Sequence, residues 1–199
     1  MLKSNEKKKI DAYFWDQKYQ NQETGWDIGT ISEPLKCYID QLEDKNIRIL
    51  IPGCGNAYEA KYLIDKGFKN ITVIDISEIL VLKLKYTFQN IEQIKIIHGD
   101  FFEHIASYDL VIEQTFFCAI HPSFREQYVS KMYELLSKNG KLVGLLFDKN
   151  FESGPPFGGN QKDYQTLFSN NFNFKTFEKC YNSILPRKNS ELFIILEKK

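Results

Sequence analysis

The sequence predicts an α/β fold, a seven-stranded, mostly parallel sheet with an antiparallel edge strand and helices on both faces. Three observations carry the prediction. From Arg48 to Asp148, short apolar runs alternate with segments of helical periodicity, which is the rhythm of strand–helix–strand units. The stretch Asn46 to Ser77, NIRILIPGCGNAYEAKYLIDKGFKNITVIDIS, contains one whole unit: strand, glycine turn, helix, strand. Two final strands follow each other with only a turn between them, so they pair antiparallel at an edge.

Asp11 to Gln22 reads as a first helix on which Trp15 and Tyr19, four positions apart, share a face. The turn-like GWDIGT follows, with Trp26 and Asp27. Ser32-Glu33-Pro34 starts a second helix, whose Leu35, Tyr38, Ile39 and Leu42 fall at i, i+3, i+4 and i+7 and need a packing partner. Strand Arg48 to Ile51 enters the glycine turn. Asn56 and Glu59 have capping-box spacing for a helix Ala57 to Lys66, closed by Gly67. The next short strand ends on Asp75, and Ser77 caps a helix with Leu80, Leu84 and Phe88 on one face.

Strands Ile94 to Ile97 and Tyr108 to Glu113 continue the alternation, the first ending at His98-Gly99-Asp100. Ser123 and Glu126 repeat the capping-box spacing ahead of a helix with Phe124, Tyr128, Met132, Leu135 and Leu136 on its apolar face, stopped by Gly140. Lys141 to Asp148 is the fifth strand. After the glycine- and proline-rich FESGPPFGGN come a helix near Asp163 to Ser169 and the closing strands near Phe174 to Tyr181 and Glu191 to Glu197.

Composition bounds the function. With 199 residues and 43% hydrophobic content, the chain is long enough to bury a core, and residues 1–199 read as a single domain. Lys plus Arg, 26, equals Asp plus Glu, 26, so no global field favours nucleic acid or an anionic membrane. Cys37, Cys54, Cys118 and Cys180 form no CxxC pair, and MLKSNEKKKI lacks an apolar targeting core; reduced thiols, no zinc site and a cytoplasmic location are expected. The apolar runs are strand-length, too short to span a membrane as helices. The lysine run Lys7 to Lys9 reads as a solvated terminus.

The chemistry concentrates at PGCGNAYE. Gly53 and Gly55 permit a tight turn and close approach of a ligand to the backbone, and the helix that follows offers free N–H groups. A dinucleotide fold places a third glycine where this chain has Tyr58, which disfavours a pyrophosphate and suits a smaller cofactor such as S-adenosylmethionine (SAM). Asp75 ends the second strand where a carboxylate meets ribose hydroxyls, and Asp100 ends the third, where the adenine amino group is commonly held. Each feature has an ordinary alternative: glycine turns recur in α/β proteins, and Asp75 could simply open a turn.

Taken together, the Trp15, Tyr19, Trp26-Asp27-x-Gly29 pattern, LIPGCGNAYEAKYL, VIDIS, GDFFE, YDLVIEQTFFCAIHPSFREQY and GPPFGG resemble the thiopurine S-methyltransferase family of SAM-dependent methyltransferases. The resemblance extends to the branch that methylates halide and thiol anions, and it covers nearly the whole chain. It implies a Rossmann-like class I methyltransferase fold, SAM as cofactor with S-adenosylhomocysteine as product, and a small-molecule acceptor. It implies cofactor contacts from Gly53 and Asp75, an adenine border of Ile76 and Phe101, and closure by Trp15, Tyr19 and Trp26 on residues 1–31, an aromatic lid. Tyr19 stands where halide-branch relatives often have tryptophan.

A sulfonium cation near an electron-rich ring face gains roughly 0.5 to 2 kcal/mol. The same rings would also serve as an apolar plug between the first helix and the sheet. A soft nucleophile (thiol, sulfide, halide or thiopurine) needs alignment and a dry site more than a strong base. The loop Gln114 to His121 should line the acceptor side. Acceptor-pocket candidates are Phe117, His121, Arg125 and Phe157, with packing or solvent-facing roles as their alternatives; Cys118 reads as packing. Methylation of oxygen or nitrogen, or SAM binding without turnover, are the competing functions. A monomer or weak dimer is expected.

Overall fold

The computed structural model describes residues 10–199; the run Lys7 to Lys9 lies outside the described residues. Two helices precede the sheet, α1 (Ala12–Gln20) and α2 (Glu33–Ile39). Strands and helices then alternate: β1 (Arg48–Pro52), α3 (Tyr58–Asp65), β2 (Asn70–Asp75), α4 (Glu78–Thr87), β3 (Ile94–His98), β4 (Tyr108–Gln114), α5 (Arg125–Leu135) and β5 (Leu136–Phe147). Helix α6 (Gln161–Phe168) and strands β6 (Phe172–Lys179) and β7 (Glu191–Lys198) complete the chain.

The expected seven-stranded sheet is present, in the order β3-β2-β1-β4-β5-β7-β6. Strands β1 to β5 pair in parallel, and β7 runs antiparallel to both β5 and β6. After β6, the chain therefore turns back and inserts β7 one place in from the edge. Strand β6 becomes the edge itself, with exposed Asn173, Lys175 and Lys179 that discourage pairing with another chain.

Alternation along the strands gives the sheet two apolar faces. On one, Ile49, Ile51, Val73 and Val143 pack against Leu35 and Ile39 of α2, Ala60 and Leu63 of α3, and Leu80 and Leu84 of α4. On the other, Leu50, Val111, Leu142 and Ile194 meet Tyr128, Met132 and Leu135 of α5 and Tyr164 and Phe168 of α6. Each fully buried aliphatic chain contributes roughly 1.5–3 kcal/mol, which is why the central strands are apolar on both sides. Strand order reverses between β1 and β4, and the crevice at their carboxyl ends is where an open α/β sheet receives ligands.

Local signals hold in part. Ser77 caps α4, accepting from the Leu80 N–H at 3.2 Å, and the end of α3 falls at Lys66-Gly67 as expected. Neither capping box forms. The residue before α3 is Ala57 in a left-handed conformation (φ 55°), while the Asn56 amide donates to Asp27 and its carbonyl accepts from Lys83 at 2.7 Å. His121, not Ser123, caps the turn Pro122–Phe124 that leads into α5, and no side chain caps α5 itself. Phe124 is half-exposed instead of lying on the apolar face of α5. Gly140 does not stop that helix. α5 ends at Leu135, and Gly140 lies within β5, beside a shift in register against β4.

Candidate active site

The turn after β1 is built as the sequence requires. Gly53 and Gly55 have φ of 55° and 51°, and the Gly53 N–H donates to the Ile74 carbonyl at 2.8 Å, tying the turn to the end of β2. Asp75 projects there, 8% exposed, accepting the Ser77 N–H at 3.0 Å; burial pushes its carboxyl up to about 6. These groups open onto a cavity of about 1070 Å³.

All nine residues expected at the cofactor line this cavity: Trp15, Tyr19, Trp26, Gly53, Gly55, Asp75, Ile76, Asp100 and Phe101. Tyr58, in the third-glycine position, lines it too, its hydroxyl donating to Asp27 at 3.2 Å. The Asp100 carboxylate accepts the Phe102 N–H at 2.8 Å at the start of a short turn.

The aromatic segment closes one side. Trp26 meets Trp15 edge-on at 5.5 Å and Tyr19 at 5.9 Å between ring centroids. Helix α1 is fastened over Asp75 by Asp16, whose carboxylate accepts the Ser77 hydroxyl at 2.6 Å and the Ile79 N–H at 3.2 Å. That carboxylate sits at the N-terminus of α4, where helix polarity favours it. Burial beside Asp75 raises the Tyr19 phenol, so it stays protonated. From the far end of the chain, Arg187 donates to the Trp26 carbonyl at 2.7 Å and pairs with Glu191 at 3.3 Å.

The opposite wall comes from the segment after β4, and a buried carboxylate shapes it. Glu113, fully buried, accepts from the Phe116 N–H at 2.9 Å, the Phe117 N–H at 3.1 Å and the Tyr128 hydroxyl at 2.9 Å. Burial pushes its carboxyl up to about 7. Gly144 on β5 makes room, because a Cβ there would collide with Glu113. Beyond the clamp, Thr115 has φ 61°, and the Phe116 ring lies against Gly53, where a Cβ would strike it. The glycine turn and the loop after β4 are thus in direct contact.

Residues Gln114 to His121 border the cavity, with one exception. Phe117 is buried in the core against Tyr128 and Tyr164, at 5.0 and 5.3 Å between centroids. His121 lines the cavity, its Nδ1 tied to the Ser123 hydroxyl at 2.8 Å and its ring edge-on to Phe157 at 5.3 Å. Arg125 and Phe157 are not among the lining residues. Arg125 donates to the Gly158 carbonyl at 2.8 Å and lies over the Phe117 ring at 4.8 Å, and the Phe157 N–H donates to the Cys118 carbonyl at 2.6 Å. The GPPF loop instead presents Pro155 and Pro156. Burial raises the Cys118 thiol, which donates to the Thr115 carbonyl at 3.2 Å and is poorly suited to act as a nucleophile.

The sequence reading did not single out Glu113, Phe116, Phe147, Lys149, Phe151 or Arg187. Glu113 sat in an apolar strand, where a carboxylate is unusual, and that was a usable signal. Arg187 gave none, being one basic residue in a polar turn.

The pieces suit SAM: a glycine turn for close approach, a buried carboxylate with acceptor capacity left, ring faces near the turn, and volume for an acceptor beside the cofactor. A protein from Arabidopsis thaliana named probable thiol methyltransferase 2 is 29% identical over 77% of this chain and 70% of its own length. Thiocyanate methyltransferase 1 of the same plant is 26% identical over 92% of this chain and 84% of its own. Among solved structures, the 1,6-didemethyltoxoflavin-N1-methyltransferase of Burkholderia thailandensis, with S-adenosylhomocysteine bound, superposes with a TM-score of 0.72 at 14% identity, covering 94% of this chain and 87% of that one. At that identity the likeness speaks for the fold alone. The profile of the thiopurine S-methyltransferase (TPMT) family matches residues 10–198, so the chain belongs to that family and is a SAM-dependent methyltransferase.

Proposed function

We propose that the chain methylates a small, soft nucleophile: a thiol, sulfide, halide, thiocyanate or thiopurine. The observation that carries the reading is the character of the cavity beyond the glycine turn. Phe116, Ile120, Phe147, Phe151, Pro155 and Pro156 supply apolar lining, with Lys149 and the ion-paired Arg187 also among the lining residues. Such a chamber strips water from a polarisable nucleophile. The names of the plant relatives, thiol and thiocyanate methyltransferases, support the same class.

Bound SAM supplies an electrophilic methyl group on a sulfonium. Asp75 would accept the ribose hydroxyls, Asp100, Ile76 and Phe101 would border the adenine, and Trp15, Tyr19 and Trp26 would cover the sulfonium side. The chemistry the cofactor would supply is transfer of that methyl to the acceptor's lone pair with loss of a neutral thioether, and the lining of the cavity would hold the acceptor in line with the methyl carbon. The protein contributes alignment and exclusion of water, worth several kcal/mol, about 7–11 at the upper end for well-oriented partners. Phe117, Arg125 and Phe157 support this wall from behind, and His121 orients its rim.

In this reading the chain acts as one domain, with the described residues 10–31 as its lid, and works in the cytoplasm as a monomer or weak dimer. The free thiols support a reducing compartment, and among the described residues no helix is long and apolar enough to cross a membrane.

The test is a product screen with methyl-labelled SAM against hydrosulfide, an aromatic thiol, thiocyanate, iodide and a thiopurine, sampling headspace and solution. A labelled methyl sulfide, methyl halide or S-methylated thiopurine is expected. Saturable SAM binding with no labelled sulfur or halide product from any of these acceptors would overturn the assignment.

A further inference from the structure

The cavity is lined by several carboxylates, and among the described residues all but one accept a hydrogen bond from another residue. Asp27 accepts from the Gly29 N–H at 2.7 Å, from the Tyr58 hydroxyl at 3.2 Å and from the Asn56 amide. Asp75 and Asp100 each accept a backbone N–H, and Glu23 holds Lys18 at 2.6 Å. Glu59 differs. It lies in the first turn of α3, is 5% exposed, lines the cavity, and among the described residues receives no hydrogen bond from another residue.

Helix polarity and its own backbone N–H account for an acid in the first turn, but not for one withdrawn from water with no donor from another residue. A buried carboxylate with so few donors is costly, and its charged form is stabilised by a cation. Burial pushes the Glu59 carboxyl up to about 7, with Asp27 adding to the rise and Arg187 opposing it. Arg187 itself is committed to Glu191 and the Trp26 carbonyl. The molecule this cavity receives carries one primary ammonium, on the amino-acid end of the cofactor, and Glu59 is the lining carboxylate that, among the described residues, no other residue's donor reaches.

We propose that Glu59 is the receptor for the α-ammonium group of SAM, and so discriminates amino-acid-bearing nucleosides from shorter ones. The proposal rests on the SAM site described above. An ammonium donating to Glu59 forms a charge-assisted hydrogen bond in a site screened from water, where such bonds are strongest. The same contact exists for S-adenosylhomocysteine, which keeps the amino acid, and is absent for 5′-methylthioadenosine, which lacks it. Glu59 therefore contributes to binding of the first nucleoside and not of the second.

The test is calorimetric titration of both nucleosides into wild-type protein and Glu59→Gln, a substitution of nearly equal volume. In Glu59→Gln, S-adenosylhomocysteine should bind roughly 10- to 100-fold more weakly, the loss expected for one charged hydrogen bond, with 5′-methylthioadenosine changed less than about twofold. Unchanged S-adenosylhomocysteine affinity, or equal losses for the two nucleosides, would overturn the proposal. Binding of 5′-methylthioadenosine also reports that the variant is folded. If neither nucleoside binds wild-type protein, it is the SAM site itself that fails, a result distinct from either outcome for Glu59.

Discussion

Glu113→Gln should make the protein more stable than wild type at alkaline pH and leave it nearly unchanged at acidic pH. The Glu113 carboxyl, fully buried behind the acceptor loop, is raised from 4.5 to about 7 by burial, against the pull of its bonds from Phe116, Phe117 and Tyr128. The unfolded chain ionises this group from about pH 4.5 upward, while the folded chain holds its proton to about pH 7, so the unfolded state binds fewer protons in between. Stability is therefore intact below the unfolded pKa and falls as pH rises toward the folded one. At 1.36 kcal/mol per unit, the loss reaches roughly 3 kcal/mol as a ceiling. The glutamine amide keeps an acceptor for the two backbone N–H groups and does not titrate. Urea midpoints of wild type and variant at about pH 5 and about pH 8.5 isolate this group, because all other titrations cancel in the difference. Near-equality at the lower pH and an advantage of about 1–3 kcal/mol for glutamine at the higher are expected. Parallel curves across the range would refute the reasoning, since Glu113 would then carry no raised pKa.

Two further outcomes follow from the cavity. Asp75→Ala should weaken SAM by about 1.5–3 kcal/mol for each charged hydrogen bond lost, measured by calorimetry, and unchanged affinity in a folded variant would remove Asp75 from the site. Trp26→Ala removes two edge-on ring pairs, worth roughly 1–3 kcal/mol together, and should expose residues 10–31 to proteolysis while lowering affinity for S-adenosylhomocysteine. A lower melting temperature with unchanged affinity per folded molecule would make the aromatic segment a plug and nothing more.

Much of the fold is legible in the sequence because burial in a parallel sheet writes itself as apolar runs at strand length, with glycine and serine marking the ends. Residues such as Leu50, Ile74 and Ile112, all essentially buried, had to be apolar wherever the neighbouring strands came from. The capping boxes failed for a reason of the same kind. Asn56 had the right spacing for a cap, but Asp27 and Lys83, distant in sequence, offered charged partners stronger than an N–H at the helix end. Phe117 and Phe157 were placed at the acceptor by their motifs, yet which of two adjacent rings faces a cavity depends on the backbone turn at Thr115 and the clamp from Glu113.

By itself the sequence determined the stretch from Asn46 to Ser77: strand, glycine turn, helix and terminal carboxylate are all set by neighbours within a few positions, so local physics suffices. The tertiary structure alone decided what surrounds that half-site. The Phe116 ring against Gly53, Asp16 fastened to the start of α4, Arg187 on the Trp26 carbonyl 161 positions away, and the burial of Glu59 beside the cavity all depend on partners that only folding brings together. Burial and charge pairing are properties of the packed chain. The residues that set which methyl acceptor fits are of this second kind.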